Sequence, residues 1–243
     1  MKYDFELNEK ELNDSLSIIS SRVKPNSVVL EFGCANGRFT RFLHEKLNCT
    51  VYAIEIDAQA SLDAEPYAEK IYVGDINTGE WQFAFKGILF DYIIFADVLE
   101  HLISPEATLK AAKHMLKSNG SMLLSIPNAA HNALIISLLN DEFEYQPYGL
   151  LDDTHIRFFT KKSIDQLIEK CDLKTFYMTC THSSPIVDNF IRHYEELDVG
   201  LSTYLKGRSL GEAYQFIVEV KKDTESTTVE LDRQLIASIF FDD

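Results

Sequence analysis

The chain has 243 residues, with 38 acidic against 23 basic side chains, a formal net charge of −15. That surface repels polyanions and argues against nucleic acid as a partner, while 46% apolar and 12% aromatic residues supply a real core. No stretch approaches the roughly 18–20 uninterrupted apolar residues of a spanning helix. The charged opening MKYDFELNEK has no apolar signal core, and four scattered cysteines (Cys34, Cys49, Cys171, Cys180) without a CxxC pair read as reduced thiols. The expectation is a cytoplasmic protein.

Leu12, Leu16, Ile19 and Val23 recur at helical spacing, predicting an amphipathic helix over 8–23, within an N-terminal segment 1–24. Pro25-Asn26 breaks it. The β-branched run SVVLEF (27–32) predicts a buried strand. A small-residue turn follows at Gly33–Gly37, and helical spacing resumes over 38–47. TVYAIEI (50–56) and 70–73 predict two more strands, each ending in or followed by acidic residues, and DYIIFA (91–96) a fourth. Ser104-Pro105-Glu106 combines an N-cap, a first-turn proline and an acid, opening a helix to about Leu116 that stops at Asn119-Gly120. SMLLSI (121–126) is a fifth strand. Alternating buried strands and helices predict an α/β fold with a mostly parallel sheet covered on both faces.

After Pro127 the rhythm changes. Residues 128–160 are irregular and aromatic-rich; a helix is predicted over 161–171, a strand over 174–181, a second excursion over 182–213 containing a helix near 188–197, and a last strand over 214–220. Long excursions in a compact domain commonly carry function. The domain is thus assigned to 25–220, with 221–243 an acidic tail whose final LIASIFF reads as a docking segment.

The turn in VVLEFGCANGR (28–38) follows a strand and opens a helix, a setting in which small residues let a ligand approach backbone N–H groups. The dinucleotide fingerprint needs glycines at 33, 35 and 38; Ala35 and Arg38 break it, and Glu31 before the turn repels a pyrophosphate but suits a cation. Here the sequence resembles the class I S-adenosylmethionine-dependent methyltransferases, whose first motif (an acid, one residue, then G-x-G-x-G) is matched by Glu31, Gly33 and Gly37, with Ala35 in place of the middle glycine, which slightly narrows the loop's backbone freedom. The resemblance implies a Rossmann-like, seven-stranded fold with substrate-covering insertions, S-adenosylmethionine as cofactor and S-adenosylhomocysteine (SAH) as product. It places Glu31 by the methionine ammonium and the loop Gly33, Cys34, Ala35 and Gly37 along the amino-acid portion. Glu55, followed by Ile56, takes the ribose hydroxyls, Asp75 the adenine amino group with Ile76 against the ring, and Ala96, Asp97 and Val98 the methionine end.

The acceptor is addressed by YGLLDDTHIRFFT (148–160). If extended, this stretch projects Asp153, His155 and Arg157 to one face and anchors Ile156 and Phe158 on the other. An imidazole beside a carboxylate and a guanidinium suits proton removal from a hydroxyl and retention of an anion. With SIPNAAH (125–131), the stretch resembles a methyltransferase branch bearing PN…H and GLLDxTHxRFFT motifs, associated with surface-polysaccharide biosynthesis. That implies O-methylation of a sugar or polysaccharide-precursor hydroxyl. The alternatives are a small non-sugar metabolite, such as a quinone precursor, and a non-catalytic cofactor-binding scaffold. His101 and His155 are the candidate bases and His131 the third; all follow strand ends, unlike His44, His114, His182 and His193. His131, Tyr148, Asp153 and Arg157 are assigned to the acceptor. Asp97, Glu100, His101, Asp152 and Asp153 offer oxygen and nitrogen ligands, but their spacing specifies no metal site and none is expected.

Overall fold

A computed structural model of the chain describes residues 13–187 and 190–223. In chain order these form α1 (Ser15–Arg22), β1 (Val28–Phe32), α2 (Arg38–Glu45), β2 (Thr50–Glu55), α3 (Ala58–Ala64), β3 (Lys70–Val73), α4 (Trp81–Ala84), β4 (Phe90–Ala96), α5 (Pro105–His114) and β5 (Leu116–Pro127). There follow α6 (Asn132–Leu139), α7 (Lys161–Lys170), β6 (Leu173–His182), β7 (Ile186–Val187), β8 (Phe190–Ile191), α8 (Val199–Lys206) and β9 (Ala213–Lys222). Seven strands make one sheet in the order β3-β2-β1-β4-β5-β9-β6. The first five are parallel neighbours; β9 runs antiparallel between β5 and β6.

Strand periodicity sorts the apolar residues onto two faces. Leu30, Phe32, Ile93, Phe95, Met122 and Leu124 meet Trp81 of α4, Leu109 of α5 and Ile164 of α7 on one side. Phe32 stacks on Phe95 at 4.2 Å and meets Trp81 edge-on at 4.9 Å. Val29, Tyr92, Ile94 and Leu123 face Ile19 of α1 and Phe39 and Leu43 of α2 on the other. The same alternation puts Glu31 on the α1/α2 side at the carboxyl end of β1. The N-terminal helix is tied to the sheet by Arg22, whose Nε and Nη2 donate to Glu219 Oε2 at 2.9 and 2.8 Å and whose guanidinium lies 4.3 Å from the Tyr177 ring centroid.

Several expected boundaries shift. Helix α5 ends at His114, and β5 begins at Leu116 rather than 121, because Gly120 lets the strand lie close to the backbone of Phe90 and Asp91. The excursion 128–160 is not wholly irregular: Asn132–Leu139 is a helix whose mean hydropathy is too high for an amphipathic stripe to show, since residues such as Leu134 and Ile136 are buried. The helix expected near 188–197 is replaced by β8, a 3-10 turn at Tyr194–Glu196, and α8, which starts where Asp198 caps the N–H groups of Gly200 and Leu201. Residues 1–12 and 224–243, with the start of the first predicted helix and LIASIFF, lie outside the described residues.

The glycine turn is left-handed at three places: Gly33 (φ 71°), Ala35 (φ 47°) and Gly37 (φ 75°). Gly37 has a second constraint, because a Cβ there would stand 2.4 Å from Ala64 Cα. Gly37→Ala should therefore cost on the order of 2–4 kcal/mol through left-handed strain and overpacking. Ala35→Gly, which relieves the same strain in a turn pinned by Glu55, should stay within about 1 kcal/mol of wild type. Chemical denaturation of both variants checks the pair of signs.

Candidate active site

Open parallel sheets bind ligands beyond the carboxyl ends of their strands, and there the chain forms a cleft of about 400 Å³. The turn after β1 supplies one wall through Gly33, Cys34, Ala35 and Asn36; Arg38 and Phe39 continue it into α2. Ala96 and Asp97 at the end of β4 form the floor. Glu100 and His101, from a 3-10 turn at Leu99–His101, face Tyr148, Asp152 and His155 of the strap that follows α6. Tyr214 and Gln215 of β9 and Leu16 of α1 complete it.

Burial governs the electrostatics. Glu31 is 3% exposed, accepts a hydrogen bond from Thr40 Oγ1 at 2.6 Å, and is pushed by burial up to about 7, the hydroxyl opposing and the Glu55 charge adding to the rise. Asp97 keeps access to the cleft, yet the protein around it raises its carboxyl to about 7 against hydrogen bonds from Ser125 and Gln215. Burial, and then the charges of Asp97 and Asp152, hold Glu100 well above the usual carboxylate range. Burial and the charges of Glu31 and Glu55 push the Cys34 thiol up, so it is no nucleophile near neutrality. Four carboxylates line the cleft (Glu31, Asp97, Glu100, Asp152) beside one guanidinium, Arg38, whose buried Nε has no hydrogen-bond partner. Such a cavity favours a cation at its centre and keeps an unused donor for an anion.

Of the residues assigned to the cofactor, Glu31, Gly33, Cys34, Ala35, Ala96 and Asp97 line this cleft. Gly37 lies just behind, as the N-cap residue of α2. Glu55, Ile56, Asp75 and Ile76 sit at the ends of β2 and β3, beside rather than inside it. Glu55 Oε2 accepts from Ala35 N at 2.7 Å and Oε1 from Ile56 N and Asp57 N at 2.9 Å each; Asp75 accepts from Asn77 N; Ile56 is 68% exposed. An exposed isoleucine at a strand end beside two acids is suited to a flat, hydrogen-bonding ring system. Val98 is instead core, packed with Leu99 and Leu102, its Cγ2 3.0 Å from where a Gly33 Cβ would stand.

The acceptor stretch is arranged differently from the extended expectation. His155 is 8% exposed, but Asp153 and Arg157 are exposed, and so are Ile156 and Phe158, which were expected to anchor it. The reason lies in the strap's main-chain bonds: Ile156 N and Arg157 N both donate to Glu100 O, and Asp152 Oδ1 accepts from Thr154 N and Oγ1, coiling the chain. Asp152 therefore faces the cleft where Asp153 was expected, and the Arg157 guanidinium closes on Ile103 O. His131 is fully buried as the N-cap of α6, with Nδ1 accepting from Ala133 N and Nε2 donating to Ser183 O at 2.9 Å. Asn128 of the same PN…H segment donates to Ala213 O at 2.7 Å. These two residues tether the excursion to the sheet and do not reach the cleft. Tyr148 does line it.

His101 and His155 meet edge-on, ring centroids 4.8 Å apart, and His155 Nε2 lies 3.9 Å from Glu100 Oε1. Arg38, Asn36, Leu16, Tyr214 and Gln215 were not singled out from sequence. The last two are brought in by β9 from far along the chain, with no local motif to mark them.

The class is a doubly covered α/β methyltransferase, and the comparisons agree. A methyltransferase domain family matches residues 5–176, most of the chain, and the chain belongs to it. It is 26% identical over 178 residues to a ubiquinone biosynthesis O-methyltransferase of Glaesserella parasuis, covering 67% of this chain and 71% of that protein. A Photobacterium profundum protein of the same description is 24% identical over 117 residues, 47% of this chain; there the match spans about half (49%) of the relative's length. Solved structures share the fold: a putative methyltransferase from Bacillus halodurans (TM-score 0.58, 16% identity, 86% of this chain and 99% of that one) and the magnesium protoporphyrin IX methyltransferase of Synechocystis with bound SAH (0.55, 14%, 85% and 78%). The chain therefore carries a methyltransferase domain on the fold described above. Among the described residues no helix is long and apolar enough to cross a membrane.

A carboxyl whose folded pKa lies above its unfolded value binds extra protons in the native state, so stability is lost as pH rises between the two values. For Glu31 that window runs from 4.5 to about 7. Without ligand, Glu31→Gln should raise stability at about pH 8, by no more than roughly 2–3 kcal/mol, while weakening binding of the cationic cofactor. Thermal melts with and without S-adenosylmethionine at about pH 5 and 8 check both signs.

Proposed function

We propose that the enzyme methylates a hydroxyl of a sugar or polysaccharide precursor in the cytoplasm. The observation that supports this most is the His101–His155 pair, set opposite the cofactor turn across one cleft. The cofactor supplies a methyl group activated on a sulfonium. The chain's residues then have two tasks, to hold the acceptor oxygen in line and to take away its proton. Glu31 and Asp97 meet the cofactor's positive charge, and Arg38, with its unused Nε, meets its carboxylate. Glu55 and Asp75 receive the ribose and adenine at the neighbouring strand ends. On the acceptor side, Asp152, Gln215 and Tyr148 give a polar wall suited to a polyol. The proton leaves by way of His101 and His155; in the simplest form one imidazole is the general base.

A second reading, a phenolic metabolite, is favoured by the rim. Phe143, Tyr145, Tyr148 and Phe158 are each 39–55% exposed, and the relatives above are described as ubiquinone biosynthesis O-methyltransferases. A flat aromatic acceptor would stack there.

Labelled methyl transfer to nucleotide sugars, oligosaccharides and catechols separates the two. Transfer to a sugar hydroxyl is expected, transfer confined to catechols favours the second reading, and transfer only to amines overturns both. With the true acceptor, His155→Ala and His101→Ala should each lower kcat about 10²-fold or more. Unchanged turnover in both would remove the imidazoles from the chemistry.

A further inference from the structure

Glu100 is the least comfortable residue of the described chain. It is 1% exposed, and neither carboxylate oxygen accepts a hydrogen bond. A buried carboxylate left so costs several kcal/mol unless it is protonated or meets a cation. The groups around it are ligands rather than cations. Glu100, His101 and His155 each offer a ligand atom, and these atoms lie within 4.8 Å of one another.

Both rings are oriented for this. His101 Nδ1 lies 3.2 Å from Thr154 O, and His155 Nδ1 3.4 Å from Leu150 O. A carbonyl only accepts, and Thr154 Oγ1, 3.1 Å from His101 Nδ1, gives its own proton to Asp152 Oδ1, so these contacts favour the proton on each Nδ1 and the lone pair on each Nε2. Donating one ring N–H to a backbone carbonyl is how metal-binding histidines are held. An ion at about 2.0–2.2 Å from each donor needs donors roughly 3–4 Å apart; His155 Nε2 and Glu100 Oε1 already stand 3.9 Å apart, and all three ligand atoms lie within 4.8 Å. The backbone is already fixed, because Glu100 O holds the strap through Ile156 N and Arg157 N at 3.0 and 2.9 Å. The fold thus brings residues 100, 101 and 155 together whether or not an ion is present.

We propose that Glu100, His101 and His155 form a binding site for one divalent transition ion, of the zinc or manganese class, at the acceptor end of the cleft. Two imidazoles with one carboxylate suit such ions better than magnesium or calcium, and leave positions open for a ligand. This revises the sequence expectation of no metal. It rests on the hydroxyl-methylating reading and changes how the imidazoles serve it, as ligands instead of a free base. The acceptor hydroxyl takes an open position, and the ion lowers its pKa so that its proton passes to water at the cleft mouth. The oxygen then attacks the methyl carbon as the C–S bond breaks, its electron pair staying on sulfur to give SAH. Asp97 and Asp152 add negative potential behind the ion.

The test is binding of the metal alone. Chelator-treated full-length protein is titrated with Mn²⁺, read by electron paramagnetic resonance, and separately with Zn²⁺, read by calorimetry. One ion per chain is expected, with at least tenfold weaker binding in each of Glu100→Gln, His101→Ala and His155→Ala. Each variant is shown to be folded by an undiminished thermal shift with SAH; His101, half-buried, is the substitution least able to disturb folding. Absence of binding to wild type, or binding that all three folded variants retain, overturns the metal site. Methyl transfer to a hydroxyl by metal-free protein would overturn the ion's part in the reaction while leaving the proposed function standing. Stoichiometric binding in a protein that methylates only amines would instead overturn the function and leave the site.

Discussion

The site depends on carboxylates gathered at strand ends without a cation to meet them: Glu31 and Glu100 are withdrawn from water, and Asp97 opens to the cleft. All three stand where parallel strands end; burial is the first cause of the raised pKa of Glu31 and Glu100, and the crowded strand end around Asp97 raises its carboxyl as well. Nothing in the packing requires this: Glu31 occupies a position that Val29 shows to be suited to an apolar residue. Carboxylates at such places store unfavourable energy until positive charge arrives. In the reading proposed above, a sulfonium with an ammonium answers Glu31 and Asp97, and a divalent ion answers Glu100. The excess of fifteen acids therefore acts through a few individual carboxyls, while the rest dress the surface.

The fold makes that arrangement possible. Adjacent parallel pairing of β1 with β4 sets Phe32 opposite Phe95, so the turn after Phe32 and the bend at Asp97 open side by side. Insertion of antiparallel β9 beside β5 adds Gln215 to Asp97. The strap is hung from the Glu100 carbonyl, so the residue whose side chain most needs a cation also positions the histidine that shares its site. Capping by Asp14 at the start of α1 brings the N-terminal helix to the same opening, where Leu16 touches the cleft.

Much of this was legible in the chain. The strand–turn–helix signal at 28–38 and the acids at 31, 55 and 75 lie within short, locally determined elements, where a few residues decide the backbone. The order of buried runs foretold the seven strands for the same reason. Three features were not legible. Asn132–Leu139 is apolar on nearly all sides, so no period marks it. The alternation of Asp153, His155 and Arg157 was inferred from an extended chain, but Asp152 turns the backbone and Glu100 O pins it, a contact across more than fifty residues. His131 and Asn128 carry a motif yet serve as tethers, because a buried polar side chain bonding main chain leaves the same trace in a sequence as one bonding substrate.

The buried acids and the bound cation are linked through protons, and this linkage is directly measurable. Calorimetry of S-adenosylmethionine binding in buffers of differing ionisation enthalpy counts the protons released per cofactor. With Glu31 near 7 before binding, release approaching one proton or more at about pH 6, shrinking toward none at about pH 8.5, is expected. A count that stays at zero across that range would mean that these carboxyls do not receive the cofactor's charge, and would contradict the site described above.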